Sequence, residues 1–385
     1  MIDGTAGTEH QGQIVAQYRK MNKWSREKLA EALHVDVSTA YRMERHSVIK
    51  NLKRRELLVG LLGIPATLMG LDSDSQHFTK KFTLNDDHMA FFEHEMAVRW
   101  EIYYTGGTIR AYHGLDMWFN FFEPFTQESH GSIWHKRSHF LLSMSYQLQG
   151  SIFRDMLNYQ AAYRSYKVAY QIAEELLDSE LMAATLARRG VTSIQENKPE
   201  RAIQYLNGAL NLINGRGLPL VRGNVLQALS EAYAMTQQYQ KCWRSIGLAE
   251  RILEHKEQKE ERTRIRFNGS SIIAQKGVDA LLLHDYRRAI ALIDKSLITY
   301  DPTLIRGRAR LNAQKAEAYY GLGLLDICTA TAEEALALAN SVGASKTITR
   351  LKNLYVTLIH SSWRKETSVA RLGALLSLQE CKDSG

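Results

Sequence analysis

The sequence is poor in cysteine, in proline and in long apolar runs, and each scarcity excludes a class of protein. Its three cysteines in 385 residues, Cys242, Cys328 and Cys381, form no CxxC pair. Neither a disulfide framework nor a zinc ribbon is expected, and the chain reads as reduced and cytoplasmic. Five prolines rule out a Pro-rich linker protein and favour long uninterrupted helices. The apolar run from Leu57 to Leu71 has 15 residues and contains Pro65, short of the roughly 20 that span a bilayer. The opening MIDGTAGTEHQGQ lacks the basic and then apolar parts of a signal peptide. Signatures of catalysis are missing too: there is no GxxxxGK[ST] loop, no GxSxG elbow and no strand-associated GxGxxG. His135 and His139 have a metal-ligand spacing, but Lys-Arg-Ser lies between them. Cations beside a site disfavour a metal, so a surface or core pair is the reading. No enzyme, cofactor or metal is expected.

What is present is an uneven charge. The chain carries 49 Lys+Arg against 41 Asp+Glu, a net of +8, on a 45% hydrophobic composition ample for a packed core. Residues 1–60 hold 11 basic and 7 acidic side chains; the other 325 residues hold 38 and 34. Half the excess thus sits in less than a sixth of the chain, which points to a small module with an anionic partner.

That module, residues 1–70, reads as short helices. Gln13 to Met21 is the first. Ser25 is an N-cap for REKLAEAL, with Leu29, Ala30 and Leu33 on one face; His34-Val35 turns; Asp36 is the N-cap of VSTAYRMER. Two short helices joined by such a turn form a helix-turn-helix, whose second helix can enter a DNA major groove. The string AQYRKMNKWSREKLAEALHVDVSTAYRMERH resembles the Cro/repressor-like (XRE) family over about residues 12–63. The resemblance implies a recognition helix from Asp36 to Arg45 and a buried or half-buried ion pair between Arg19 and Glu44. By position, Val37, Ser38 and Arg42 would face base edges of double-stranded DNA, while Arg26, Thr39 and Tyr41 would contact phosphates. The family pattern is altered at Arg26, His34 and His46, where Gln, Gly and Gly are frequent. The KRR cluster at 53–55 would touch phosphates or flank the module's end. The apolar run after it closes the module, and residues 71–80, with DSDSQ, form a linker.

Residues 81–385 are a repeat. A small residue, then Ala or Cys twelve on, then Ala or Ser seven further, recurs five times. The sets are Gly150/Ala162/Ala169, Gly190/Ala202/Ala209, Ser230/Cys242/Ala249, Gly277/Ala289/Ser296 and Ala316/Cys328/Ala335. Successive copies start 40, 40, 47 and 39 residues apart. Fixed inner and variable outer spacing means paired helices with loops of variable length. These spacings resemble the tetratricopeptide (TPR) repeat over about residues 143–340. The resemblance implies that Tyr166, Leu206, Ile246 and Ile293 fill the holes in second helices, Phe153, Tyr233 and Tyr319 those in first helices, and that Tyr159, Tyr239 and Tyr286 lie at the turns. Residues 84–125 read as another helical pair whose aromatics are core, and 345–380 as one or two capping helices. The fold class expected is all-α: a helix-turn-helix domain followed by a right-handed TPR-like α-solenoid.

By the TPR resemblance, a concave stripe of the first helices would carry groove residues: Gln147, Ser151, Arg154, Asn224, Gln227, Glu231, Arg310 and Glu317. Asn224, Asn268 and Asn312 do not share one register relative to their repeats and form no ladder. Joined to an XRE-type module, the array resembles the RRNPP regulators of peptide quorum sensing. That resemblance implies a homodimeric, sequence-specific DNA-binding transcriptional regulator responding to a short signalling peptide. The rivals are a TPR adaptor for a protein partner and a dimeric regulator with no ligand.

Overall fold

The computed structural model describes residues 10–33, 35–71, 86–105, 107–128, 132–216, 218–254 and 262–383. Among these residues all regular structure is helical, and no helix is long and apolar enough to cross a membrane. The chain divides into two units, Met1–Thr83 and Leu84–Gly385. The expected turn residue His34 and residues 72–80 of the expected linker lie outside the described residues.

In the first unit the helix ends follow local chemistry. α1 (Gln11–Met21) starts earlier than Gln13 because the Gln11 side chain is a buried clamp. Its Nε2 donates to the Met69 carbonyl at 2.8 Å, and its Oε1 accepts from the Ile49 amide at 2.7 Å. Ser25 caps α2 (Arg26–Ala32) by accepting from the Lys28 amide at 3.2 Å. α3 spans Val37–Met43, shorter than Asp36–Arg45; Asp36 stands at the N-cap position but its carboxylate makes no cap bond. α4 (Leu52–Leu62) is capped by Asn51 and closed by Gly63 at φ 67°, a left-handed C-terminal stop. Val15, Leu29, Ala40, Leu58 and Met69 are the buried centre of this unit. The run from Leu57 to Leu71 therefore closes the module, with Leu58, Leu62, Ile64 and Met69 in its core.

The second unit is a TPR-like α-solenoid built from five helix pairs. They are α8 (His135–Asp155) with α9 (Tyr159–Glu175), α10 (Ser179–Gln195) with α11 (Pro199–Leu212), α12 (Pro219–Met235) with α13 (Tyr239–Glu254), α14 (Gly269–Leu282) with α15 (Tyr286–Thr299), and α16 (Ile305–Gly321) with α17 (Leu325–Ser341). Every residue of the five small-residue sets is buried. The reason is close approach of helix to helix. A Cβ at Gly150 would lie 2.5 Å from Tyr166 Cε1, one at Gly190 2.6 Å from Leu206 Cγ, and one at Gly277 2.7 Å from Ile293 Cγ1. Cys242 and Cys328 are buried free thiols that serve as small packing residues.

Each pair turns through the same backbone device. Seven residues after the small residue stand Leu157, Asn197, Gln237, His284 and Gly323, all at positive φ between 57° and 74°. The next amide in each case returns to the carbonyl five residues back, as from Asn158 to Phe153 at 2.9 Å and from Gln238 to Tyr233 at 2.8 Å. This is the Schellman closure of a helix end, which satisfies otherwise unpaired carbonyls.

Upstream, the expected single pair is three helices: α5 (Asp86–Thr105), α6 (Thr108–Tyr112) and α7 (Leu115–Glu128). The second half breaks because Gly114 takes φ 73°, which a continuing helix cannot accommodate. Trp100, Phe92, Trp118 and Phe122 are packed together as core. Downstream stand two helices, α18 (Ser345–Ile359) and α19 (Thr367–Asp383).

Asp279 of α14 is fully buried and accepts from Gln275 Nε2 at 2.9 Å. Burial pushes its carboxyl up to about 8 against the help of its hydrogen-bond donors. The folded chain thus holds a proton that the unfolded chain releases near pH ~4. The associated stability is present below that value and is lost as pH rises through about 8. Asp279→Asn, neutral throughout, is expected to flatten the fall in Tm between pH ~5 and ~8. Parallel Tm profiles for the two proteins would place the pH dependence in another group.

Candidate nucleic-acid interface and candidate peptide groove

The packing of α3 sorts its side chains. Ala40 and Met43 are buried, and Val37, Ser38, Tyr41 and Arg42 are exposed, with Thr39 half-buried at their edge. Val37 and Tyr41 keep 43% and 40% of their surface in solvent. Arg42 folds back on its own helix, Nε toward the Ser38 carbonyl at 3.3 Å and Nη2 toward Thr39 Oγ1 at 3.5 Å. Both contacts are long and solvent-exposed, so the guanidinium is readily given up to another acceptor. Tyr41 is held between two guanidiniums: Arg26 lies 5.0 Å and Arg45 5.4 Å from its ring centre. Arg45 Nη1 also donates to the Tyr41 hydroxyl at 2.9 Å.

Behind this face Glu44 gathers two arginines. Arg19 Nε donates to Glu44 Oε1, Arg19 Nη2 to Oε2 at 3.3 Å, and Arg26 Nε to Oε2 at 2.8 Å. Arg19 Nη1 adds a bond to the Trp24 carbonyl at 2.8 Å. Burial alone pushes the Glu44 carboxyl up, but the two guanidiniums together outweigh it and hold it below the ordinary carboxylate value. Arg26, read from sequence as a phosphate contact, is the outer member of this cluster. Its side chain is 43% exposed, so Glu44 shares it with solvent.

The eight groove residues are divided by the structure. Gln147 is 0% exposed and Ser151 is buried, so neither lines an open groove. Gln147 Oε1 accepts from Arg188 at 2.8 Å, and Ser151 shares a hydrogen bond with the Tyr166 hydroxyl at 3.1 Å. They are buried because close helix pairing leaves no space above them. Arg154 is also engaged, donating to Asp155 at 3.0 Å and to the Tyr103 hydroxyl at 2.6 Å. Asn224 and Gln227 face the chain's own 266–271 stretch: Asn224 Nδ2 meets the Arg266 carbonyl at 3.4 Å, and Gln227 Oε1 accepts from Ser271 at 3.2 Å. Glu317 pairs with Arg350 at 2.8 Å. Glu231 and Arg310 are half-buried.

Sequence reasoning missed two features. Arg188 is buried and joins Gln147, the Thr263 carbonyl at 2.7 Å and the Trp100 ring at 4.6 Å. A cavity of about 460 Å³ opens beside it, floored by Met96, Trp100, Leu141 and Met144, with Arg262 and Arg264 at its edge. The aromatics of residues 84–125 signalled core, and one of them, Trp100, also lines the cavity. The His135 and His139 rings lie 4.0 Å apart, tilted by 50°, and His139 Nδ1 faces the His135 carbonyl at 2.9 Å. Among the described residues no group of three or more His, Cys, Asp or Glu gathers as a metal would require.

No protein-family model matches the chain, and no curated protein matches it. Among solved structures, BtubC (BKLC) from P. vanneervenii is 13% identical, covering 60% of this chain and 92% of that one, at a TM-score of 0.42. A putative kinesin light chain from Podosopora anserina with nearly identical TPR-like repeats is 14% identical, covering 51% and 93%, at 0.35. PlcR from Bacillus thuringiensis, in complex with the peptide PapR7 and DNA, is 14% identical, covering 92% and 100%, at 0.34. These are partial likenesses of shape between distant sequences.

Proposed function

We propose that the chain is a sequence-specific DNA-binding transcriptional regulator and not an enzyme. In this reading it works as a homodimer, and its repeat unit takes a short peptide signal. The observation that supports DNA binding most directly is the outward face of α3. Val37, Ser38, Tyr41 and Arg42 are exposed on one side of a short helix whose other side is anchored in the core. An apolar residue, a hydroxyl and a loosely held guanidinium are what base-edge readout uses. The surrounding module is basic, which supplies the salt-dependent phosphate attraction.

The test is an unbiased selection of duplex DNA by the full-length chain, followed by affinity measurement on the selected sequence. Arg42→Ala is expected to weaken binding roughly ten- to hundredfold and to relax the sequence preference at one position. Arg26→Ala is expected to do less, since its guanidinium is shared with Glu44. Failure to select any sequence, or unaltered affinity in Arg42→Ala, removes the reading.

A further inference from the structure

The repeat spacing contains an anomaly. Three of its four steps are 39 or 40 residues and one is 47, and the surplus falls between α13 and α14. The described part of that connection, Arg262–Asn268, runs without regular structure from Arg264 onward, and Arg264 has φ 54°. Its side chains alternate. Thr263, Ile265 and Phe267 are buried, while Arg264 and Asn268 are exposed. That is the period of an extended strand, yet no strand partners it among the described residues.

Side chains of other helices bind its backbone instead. The Thr263 carbonyl accepts from Arg188 Nη2 of α10 at 2.7 Å. The Arg264 carbonyl accepts from the Tyr104 hydroxyl of α5 at 2.7 Å, and the Arg266 carbonyl from Asn224 Nδ2 of α12 at 3.4 Å. The Phe267 ring lies against Gly223 of α12, where a Cβ would overlap it. Ile265 and Phe267 share the apolar cluster of α10 to α13. The basic side chains find acids: Arg262 meets Asp178 at 3.1 Å and Glu180 at 2.7 Å, and Arg266 meets Glu101 at 2.8 Å while stacking 4.2 Å from Tyr104. Side-chain donors aimed at the carbonyls of Thr263, Arg264 and Arg266, burial of the alternate Ile265 and Phe267, and an acid at Arg266 between them are how a protein holds a peptide from outside.

The repeats spaced at 39 and 40 residues pack without such a stretch, so solenoid packing does not require it. We infer that α10 and α12, with Glu101 and Tyr104 of α5, form a track for an extended peptide with bulky apolar residues at alternate positions and basic residues between. The chain's own Thr263–Asn268 occupies it as an internal stand-in. This rests on the peptide-binding reading above and adds the ligand's chemistry and the step it must perform, displacement of the stand-in.

The test uses the full-length chain and a labelled synthetic peptide of sequence TRIRFN. Tethering gives the internal copy an effective concentration of about millimolar, so the wild-type chain is expected to bind the probe poorly. The double substitution Ile265→Ser, Phe267→Ser empties the track, and binding is expected to tighten at least ~10-fold, with a rise in Tm on adding peptide. Gly223→Ala in that background closes the Phe267 pocket and should abolish the gain. A scrambled peptide should bind to none of them. Equal affinity of wild type and double variant, or equal binding of the scrambled peptide, overturns the inference. Folding of the variant does not limit the test. In the wild-type chain, millimolar TRIRFN should accelerate amide exchange within residues 263–268, and no acceleration overturns the inference as well. None of these readouts involves DNA. Their failure with selected-site binding intact removes the track alone, and loss of DNA binding with probe binding intact removes the regulator reading alone.

Discussion

Glu44→Ala is expected to unfold the first unit. The substitution removes the shared acceptor of two guanidiniums, one of them buried. Arg19 would keep its bond to the Trp24 carbonyl and lose both bonds to Glu44. An uncompensated buried charge costs about 3–5 kcal/mol. A core of this size supplies roughly 3–5 kcal/mol in total, so the loss matches the whole stability. Arg26→Ala removes only the exposed partner and should cost far less than Glu44→Ala. Acid should mimic the first substitution. The Glu44 carboxyl is held below its ordinary value, so its contribution is present above pH ~4.3 and lost as pH falls through the lowered value. Amide exchange over Gln11–Leu62 measures both effects. Near-native protection in Glu44→Ala would show that the cluster contributes little.

The second large effect concerns the seam between α8 and α9. Tyr166 is fully buried with its ring against Gly150. Tyr166→Ala is expected to cost about 3–5 kcal/mol, as large-to-small aromatic changes in cores do. Gly150→Leu alone drives a side chain into that ring and should cost about 1–3 kcal/mol. Together the two substitutions exchange which helix supplies the filling group. The double variant should therefore lose less than the sum of the singles, by about 1 kcal/mol or more in urea denaturation. Additive losses would mean that the two positions do not share one space.

Much of this fold is written in local spacing. A helix that must approach its neighbour closely needs a small residue at each contact, and the twelve-and-seven rhythm records that need directly. The turns are different. Gly323 and Asn197 carry residue types that signal a left-handed backbone, and His tolerates it; Leu157 and Gln237 adopt it without such a signal. The TPR resemblance named Gln147 and Ser151 as part of a concave stripe. It could not show that they are covered, because Arg188, 41 residues beyond Gln147, and Tyr166 engage them. Likewise Arg19 and Glu44 were legible as a pair from the family register, whereas Arg26 joined them through tertiary geometry alone.

The contacts across the second unit bear on how it comes apart. An ideal solenoid unravels from its ends, since each repeat touches only its neighbours. Here Arg306 at the start of α16 donates to Asp155 at the end of α8 at 2.6 Å and to Thr108 of α6 at 2.8 Å. Lys346 of α18 donates to the Gln195 carbonyl of α10 at 2.6 Å. Removing the last helices therefore strips partners from the first ones, and fraying at one end is transmitted to the other. With its ends tied to its start in this way, the array is expected to melt as one cooperative body, and truncation to damage it out of proportion to the length removed.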